Sequence, residues 1–240
     1  MTDAPNLLSR AKRKLGLELR RLHGRVVLGI GAAARTSPLC PDFGGSRGTP
    51  IDRYYIERFL ADHSADVRGR VLEVGDDSYS RRFGAGRVTK QDVLQLNERP
   101  GATIAGDLGK PGLLPAASFD CIILTQTLQL IYELEIAVDN LRSALAPGGT
   151  LLVTVPGISA IDRFEWRDSW YWSLTGTALR RLIERAFDPD DVTIATYGNL
   201  YAATTFLQGA CVQEVSRRKL DLVDPAYPVT VGARAVARPA

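Results

Sequence analysis

Residues 119–155, FDCIILTQTLQLIYELEIAVDNLRSALAPGGTLLVTV, decide the fold class. Phe119 to Thr125 is a short apolar run of strand length, and Thr150 to Val155 is another. Between them Leu134, Ala137, Val138, Leu141 and Leu145 recur at helical spacing. A strand, a helix and a strand in that order make a unit of two parallel strands. Strands apolar at nearly every position are buried on both faces, so helices must cover the sheet above and below.

The same alternation extends outward. Upstream, Val71 to Gly75, Val88 to Asp92 and Ala102 to Ala105 read as strands, the last ending at Gly106-Asp107. Downstream, Thr175 caps a helix over 176–186 with Leu179, Leu182 and Ile183 on one face, and strands follow at 192–196 and 229–236. Before the first strand a helix starts with Thr49 as cap, Pro50 in the first helical position and Asp52 in the first turn. Ile51, Tyr55, Ile56, Phe59 and Leu60 form its buried face. The sequence therefore predicts one α/β domain over residues 51–240, with a mostly parallel sheet and helices on both faces.

Residues 36–50, rich in glycine and proline, read as a linker or an ordered loop over the core. Residues 1–35 read as a basic amphipathic arm. Leu8, Ala11, Leu15, Leu19, Leu22 and Val26 form a stripe, and Arg10, Arg13, Lys14, Arg20 and Arg21 mostly fall away from it. Such a helix packs on its own domain or a dimer partner, or it lies on an anionic membrane surface; the first is the commoner arrangement. The apolar run from Val26 to Ala34 is too short to span a bilayer and too late for a signal peptide.

The chain of 240 residues is 45% hydrophobic and 24% charged, which suits a folded domain and not a disordered one. Its three cysteines cannot make a disulfide scaffold and point to a reducing compartment, the cytoplasm. A net charge of +3 gives no reason to expect a nucleic-acid partner. No His/Asp/Glu cluster has metal-ligand spacing, so no metal is expected.

In open α/β sheets ligands sit at the carboxyl ends of the strands, near the reversal of strand order. That rule selects the positions after Gly75, at Asp92, at Asp107 and after Thr125. The arrangement suits a nucleoside-bearing cofactor. Asp92 could accept from ribose hydroxyls, Asp107 with Leu108 could edge an adenine, and Glu73 could hold the first loop through backbone N–H groups. The plain alternative is that strand ends are polar because loops are wet.

These residues carry a resemblance. V-L-E-V-G at 71–75, G-D-L at 106–108, F-D-C-I-I-L at 119–124 and L-A-P-G-G-T-L-L at 145–152 resemble the motifs of class I S-adenosylmethionine-dependent methyltransferases. The similarity covers about residues 50–238. W-Y-W-S-L-T at 170–175 and L-R-R-L-I-E-R-A-F at 179–187 look like a subset encoded with glycosyltransferases and polysaccharide genes. The resemblance implies a Rossmann-like seven-stranded sheet ending in a reversed hairpin. It implies S-adenosylmethionine over Gly75, Asp92 on its ribose, Asp107 near its adenine, and Gln126 and Thr127 beneath its methionine part. Three positions depart from the pattern: Asp77 and Tyr79 stand where glycines are usual, and Gln129 where many relatives have histidine. A carboxylate at 77 either bonds the cofactor's amino group or repels its carboxylate; the first is expected, because uncompensated charges are seldom kept beside a ligand.

Methyl transfer is an in-line displacement that needs positioning, and a hydroxyl acceptor also needs a base. His23 and His63 precede the sheet and read as structural or solvated. The loop after the fifth strand holds all three tryptophans, Trp166, Trp170 and Trp172, together with Tyr171, Asp162, Glu165 and Asp168. Trp166, Trp170 and Tyr171 are candidates to stack on a small-molecule or glycan-linked acceptor; Asp162, Glu165 and Asp168 are candidate bases. The alternative is an aromatic lid with its acids in water. The sequence thus predicts an O-methyltransferase. Two other readings are a protein of the same fold that serves as a binding partner, and an enzyme using the cleft for other chemistry. A homodimer is compatible with all three.

Overall fold

The computed structural model describes residues 14–20, 22 and 35–238. The chain runs α1 (Ile51–Asp62), β1 (Gly69–Val74), α2 (Ser78–Gly84), β2 (Val88–Gln95), β3 (Ile104–Ala105), β4 (Phe119–Thr125), α3 (Leu134–Ala144), β5 (Leu145–Pro156), α4 (Gly176–Ile183), β6 (Val192–Tyr197), α5 (Leu200–Leu207), α6 (Arg217–Leu220) and β7 (Thr230–Val236). The sheet has seven strands in the order β3-β2-β1-β4-β5-β7-β6. β1 pairs in parallel with both β2 and β4, and β7 lies antiparallel between β5 and β6. The order reverses between β1 and β4, so their carboxyl ends flank the crevice in which sheets of this kind bind ligands.

Helices cover the two faces because alternate strand residues point to opposite sides. Leu72, Ile122, Leu124, Leu151 and Val153 pack beneath α3 and α4. Val71, Cys121, Ile123 and Leu152 pack beneath α1 and α5. The buried face of α1 is Ile51, Tyr55, Ile56, Phe59 and Leu60.

Gly232, inside β7, has a packing reason. A Cβ there would lie 2.7 Å from the Phe59 ring, so the strand gives up a side chain to seat an aromatic of α1. Gly232→Val should destabilise the domain by about 1–3 kcal/mol through overpacking, read by urea unfolding. An unchanged midpoint would mean that α1 does not hold Phe59 against the strand.

Several boundaries differ from the sequence reading. β2 continues three residues past Asp92, and β5 starts at Leu145, five residues before Thr150. Pro50 is the N-cap of α1 and Ile51 its first residue. Thr49 does not cap: its hydroxyl accepts from Gln213 Nε2 at 3.0 Å. Residues 36–50 form an ordered loop in which Cys40 and Arg47 are buried. Most of the arm's stripe, including Leu8, Ala11 and Val26 with Arg10, Arg13 and Arg21, lies outside the described residues, as does His23. Residues 14–20 are helical, and Leu15, Leu19 and Leu22 are about 60% exposed, so this part of the stripe does not pack on its own domain.

Candidate functional site

β1 is followed by Gly75, whose φ of +99° lies in the left-handed region and whose Cβ position meets nothing within 4 Å. The backbone is thus open on the side a ligand would approach. Glu73, 2% exposed, turns its carboxylate under the next loop and accepts from Tyr79 N at 3.0 Å and Ser80 N at 2.7 Å. Burial pushes its pKa up to about 6 against the pull of those bonds.

Asp77 is the N-cap residue of α2 and makes no capping bond with its side chain. Its carboxylate pairs with Arg81 at 2.6 Å, one turn along. Its charge is compensated by a neighbour on the same helix, so neither expected interaction with a cofactor is needed to explain its presence. Asp77→Gly should therefore change S-adenosylhomocysteine affinity by less than about twofold, because the carboxylate is already paired with Arg81. A tenfold change in either direction, measured by calorimetry, would contradict this. Tyr79 packs its ring into the α1 face of the core with Phe83, 6.1 Å between centroids, and so occupies no space above Gly75.

Asp92 does not stand at a strand end. It lies inside β2 opposite Leu72 and accepts from Arg70 Nε at 2.7 Å. The guanidinium holds its carboxyl below the usual range, although burial opposes this. The residue at the carboxyl end of β2 is Gln95, which donates to Gly75 O at 2.7 Å and ties β2 to the first loop.

Asp107 follows β3 and accepts from Gly109 N at 2.9 Å. Leu108 is 4% exposed, with its side chain in the core. Asn140 of α3 fixes this loop: it donates to Leu108 O and Lys110 O at 2.8 and 2.7 Å and accepts from Gly112 N at 3.1 Å. Sequence reasoning missed Asn140, because a polar residue on a helix reads as solvated. Asp52 stands in the first turn of α1 as the sequence predicts, half-buried, and burial raises its carboxyl above the usual range.

At the end of β4, Gln126 is left-handed at φ +47°. Its side-chain Nε2 is buried with no hydrogen-bond partner among the described residues. An orphaned buried donor marks a place where a ligand acceptor would be welcome. Thr127 donates to Thr125 O at 3.0 Å. Gln129 is buried, donates to Gln126 O, and its own carbonyl accepts from Tyr171 N at 2.8 Å.

The loop after β5 separates the three acids. Asp162 Oδ2 accepts from Phe164 N and Trp166 N at 3.1 and 2.8 Å, so this carboxylate organises its own loop. Glu165 pairs with Arg99 at 3.6 Å, which brings the loop across the ends of β1 and β4 to the segment after β2. Asp168 is exposed and has no hydrogen bond or ion pair among the described residues. Of the aromatics, Trp170 stacks on Phe43 at 6.2 Å, Tyr171 meets Tyr132 edge-on at 5.4 Å, and Trp166 is 38% exposed. Trp172 donates to Ile131 O and packs against the core. His63 lies edge-on to Phe59, far from this edge.

No protein-family model matches the chain, and no curated protein is similar to it in sequence. Solved structures are similar in fold. A SAM dependent methyltransferase from Archaeoglobus fulgidus has a TM-score of 0.52 and 12% identity over 77% of this chain and 94% of that one. The [4+2]-cyclase SpnF has a TM-score of 0.52 and 14% identity over 93% of this chain and 97% of that one. The fold is that of the Rossmann-like methyltransferases.

Within this methyltransferase fold Gly75 and Gln126 follow β1 and β4, which flank the switch point, and Asp107 follows β3 at the edge of the sheet. The residues fit a nucleoside cofactor with an amino-acid tail: Gly75 leaves room, Gln126 offers an unmet donor, and Asp107 keeps a carboxylate at the edge. A 490 Å³ depression at the opposite edge is lined by Arg68, Arg87 and Asp120, the last two engaged in the fold. Arg87 donates to Ser64 O and Phe83 O, and Asp120 accepts from Arg70 N.

Proposed function

We propose that the chain is an S-adenosylmethionine-dependent methyltransferase acting on an oxygen of a small or glycan-linked acceptor. The observation that carries this reading is the open, left-handed Gly75, at the start of a loop held by Glu73, with the orphaned amide of Gln126 just past the end of the neighbouring strand β4. Glu73 fixes the loop under the cofactor, Gln126 binds its methionine part and Asp107 its adenine end. Gln95, in place of an acid, keeps the first loop against β2. Bound there, S-adenosylmethionine supplies an electrophilic methyl group on its sulfonium.

The loop over residues 157–175 brings the acceptor side of the cleft. Trp166 and Tyr171 offer partly exposed rings to a sugar or planar acceptor. Asp168 is the carboxylate free to take the proton from the acceptor hydroxyl, because backbone N–H groups engage Asp162 and Arg99 engages Glu165. Asp107→Ala should weaken S-adenosylhomocysteine binding by about 1–2 kcal/mol if one or two hydrogen bonds are lost. Thermal shift against ligand concentration reads this, and equal shifts for both proteins would remove Asp107 from the site.

A second reading is a protein of this fold that no longer methylates and works as a binding partner. The observation in its favour is Gln95 at the end of β2, where an acid would grip the ribose hydroxyls. Saturable cofactor binding by the unmutated chain separates the two.

A further inference from the structure

Two exposed apolar groups, each on a segment that also bears basic residues, lie outside the cleft. The first is the helical segment with Leu15, Leu19 and Leu22, exposed by 62, 59 and 58%. The spacing of four and three residues puts them on one stripe of a helix. Residues 1–35 carry eight Arg or Lys against two acids, a charge of +6 in a chain whose total is +3, which leaves −3 for residues 36–240. The positive charge is therefore concentrated on the segment that bears the leucines.

The second group is the corner made by α5 and α6. Leu200, Leu222 and Val223 are 58, 64 and 52% exposed. Asn199 draws them together by donating to Leu222 O at 2.6 Å and to Lys219 O at 2.8 Å, immediately before Leu200. Arg217, Arg218 and Lys219 are exposed on the adjoining α6. Of the acids on this corner, Asp221 is paired with Arg58 at 3.1 Å and Asp224 accepts from Ala226 N at 3.0 Å. Arg47 ties the N-terminal segment to the chain just before α6. It donates to Arg20 O at 2.8 Å on the N-terminal segment and pairs with buried Glu214, three residues before Arg217. Three residues of chain reach at most about 11 Å. The corner also sits at the carboxyl edge of the sheet, because β6 ends and β7 begins there.

We propose that this face docks on an anionic lipid surface, with Leu15, Leu19, Leu22, Leu222 and Val223 in the interface and the arginines and lysines over the headgroups. Apolar side chains rimmed by cations are what such a surface recognises: the apolar area supplies contact and the basic residues supply attraction to anionic lipid. A second copy of this chain would set +6 against +6 if the same segments met, which disfavours self-association there. Among the described residues no helix is long and apolar enough to cross a membrane, so the contact is made on the surface. The inference rests on the surface alone and is independent of methyl transfer.

The test is co-sedimentation of the full chain with vesicles of phosphatidylcholine, with and without phosphatidylglycerol. The expected result is partition onto the anionic vesicles only, weakened by salt. Two variants should each lower that partition at least about tenfold: Leu15→Ser with Leu19→Ser and Leu22→Ser, and Arg217→Glu with Arg218→Glu. All five side chains are exposed, so thermal unfolding should stay unchanged in both. Lack of partition, equal partition onto neutral vesicles, or partition indifferent to both variants would overturn the proposal. So would a dimer in sedimentation velocity that the serine variant dissociates, which would assign the stripe to a second copy.

Discussion

Replacing Glu73 with alanine is expected to lower unfolding free energy by about 2–6 kcal/mol, because two backbone N–H groups, one buried and one partly buried, lose their acceptor at about 1–3 kcal/mol each. Those donors are Tyr79 N and Ser80 N, and no other acceptor serves them among the described residues. The loop they anchor starts at Gly75, so S-adenosylhomocysteine binding should be lost with the stability. The pH dependence gives a second reading of the same side chain. Burial raises the Glu73 pKa from 4.5 to about 6 in the folded chain. The folded state therefore holds a proton more tightly than the unfolded state. The stability due to Glu73 is present in full below pH 4.5 and is lost as pH rises to about 6. At 1.36 kcal/mol per unit the loss is about 2 kcal/mol. Glu73→Gln should remove this slope from urea unfolding measured across that window. A slope that survives the substitution would show that Glu73 does not titrate as its burial requires.

Glu214→Ala is expected to cost about 3–5 kcal/mol, since it leaves the buried Arg47 guanidinium without its partner. Glu214 Oε2 accepts from Arg47 Nε at 3.2 Å and from Cys211 N at 3.1 Å, with its side chain fully buried. The pair locks the loop over residues 36–50 onto the segment between α5 and α6. Breaking one partner is worse than removing both, because a lone buried charge has no compensation. Arg47→Met with Glu214→Leu should therefore be more stable than Glu214→Ala in thermal unfolding. A double variant no better than the single one would show that Arg47 reaches solvent when its partner is gone.

Much of the fold was legible because burial is written locally. β1, β4 and β5 are apolar at successive positions, and the 3.6-residue period of α1 and α3 names their buried faces. The end of β2 was hidden for a physical reason. Asp92 reads as the start of a loop, yet Arg70 on the neighbouring strand satisfies it inside the sheet. A partner 22 residues away leaves no local signal. The candidate site shows the same division. Glu73 and Gly75 follow from a strand meeting a loop, whereas the three acids after β5 are alike in sequence. They are separated only by which N–H group or arginine reaches each of them. Asn140 and Gln95 escaped notice because their role is to hold the backbone of loops distant in sequence.

The most direct test of the cleft is calorimetric titration of the unmutated chain with S-adenosylhomocysteine. The geometry of Gly75, Gln126 and Asp107 predicts one saturable site, with a dissociation constant well below 1 mM, a binding free energy beyond about −4 kcal/mol. Asp107→Ala should weaken it and Glu73→Ala should abolish it. No saturable heat from the unmutated chain at about 1 mM ligand would contradict a cofactor site above Gly75 and leave the fold without its methyl donor.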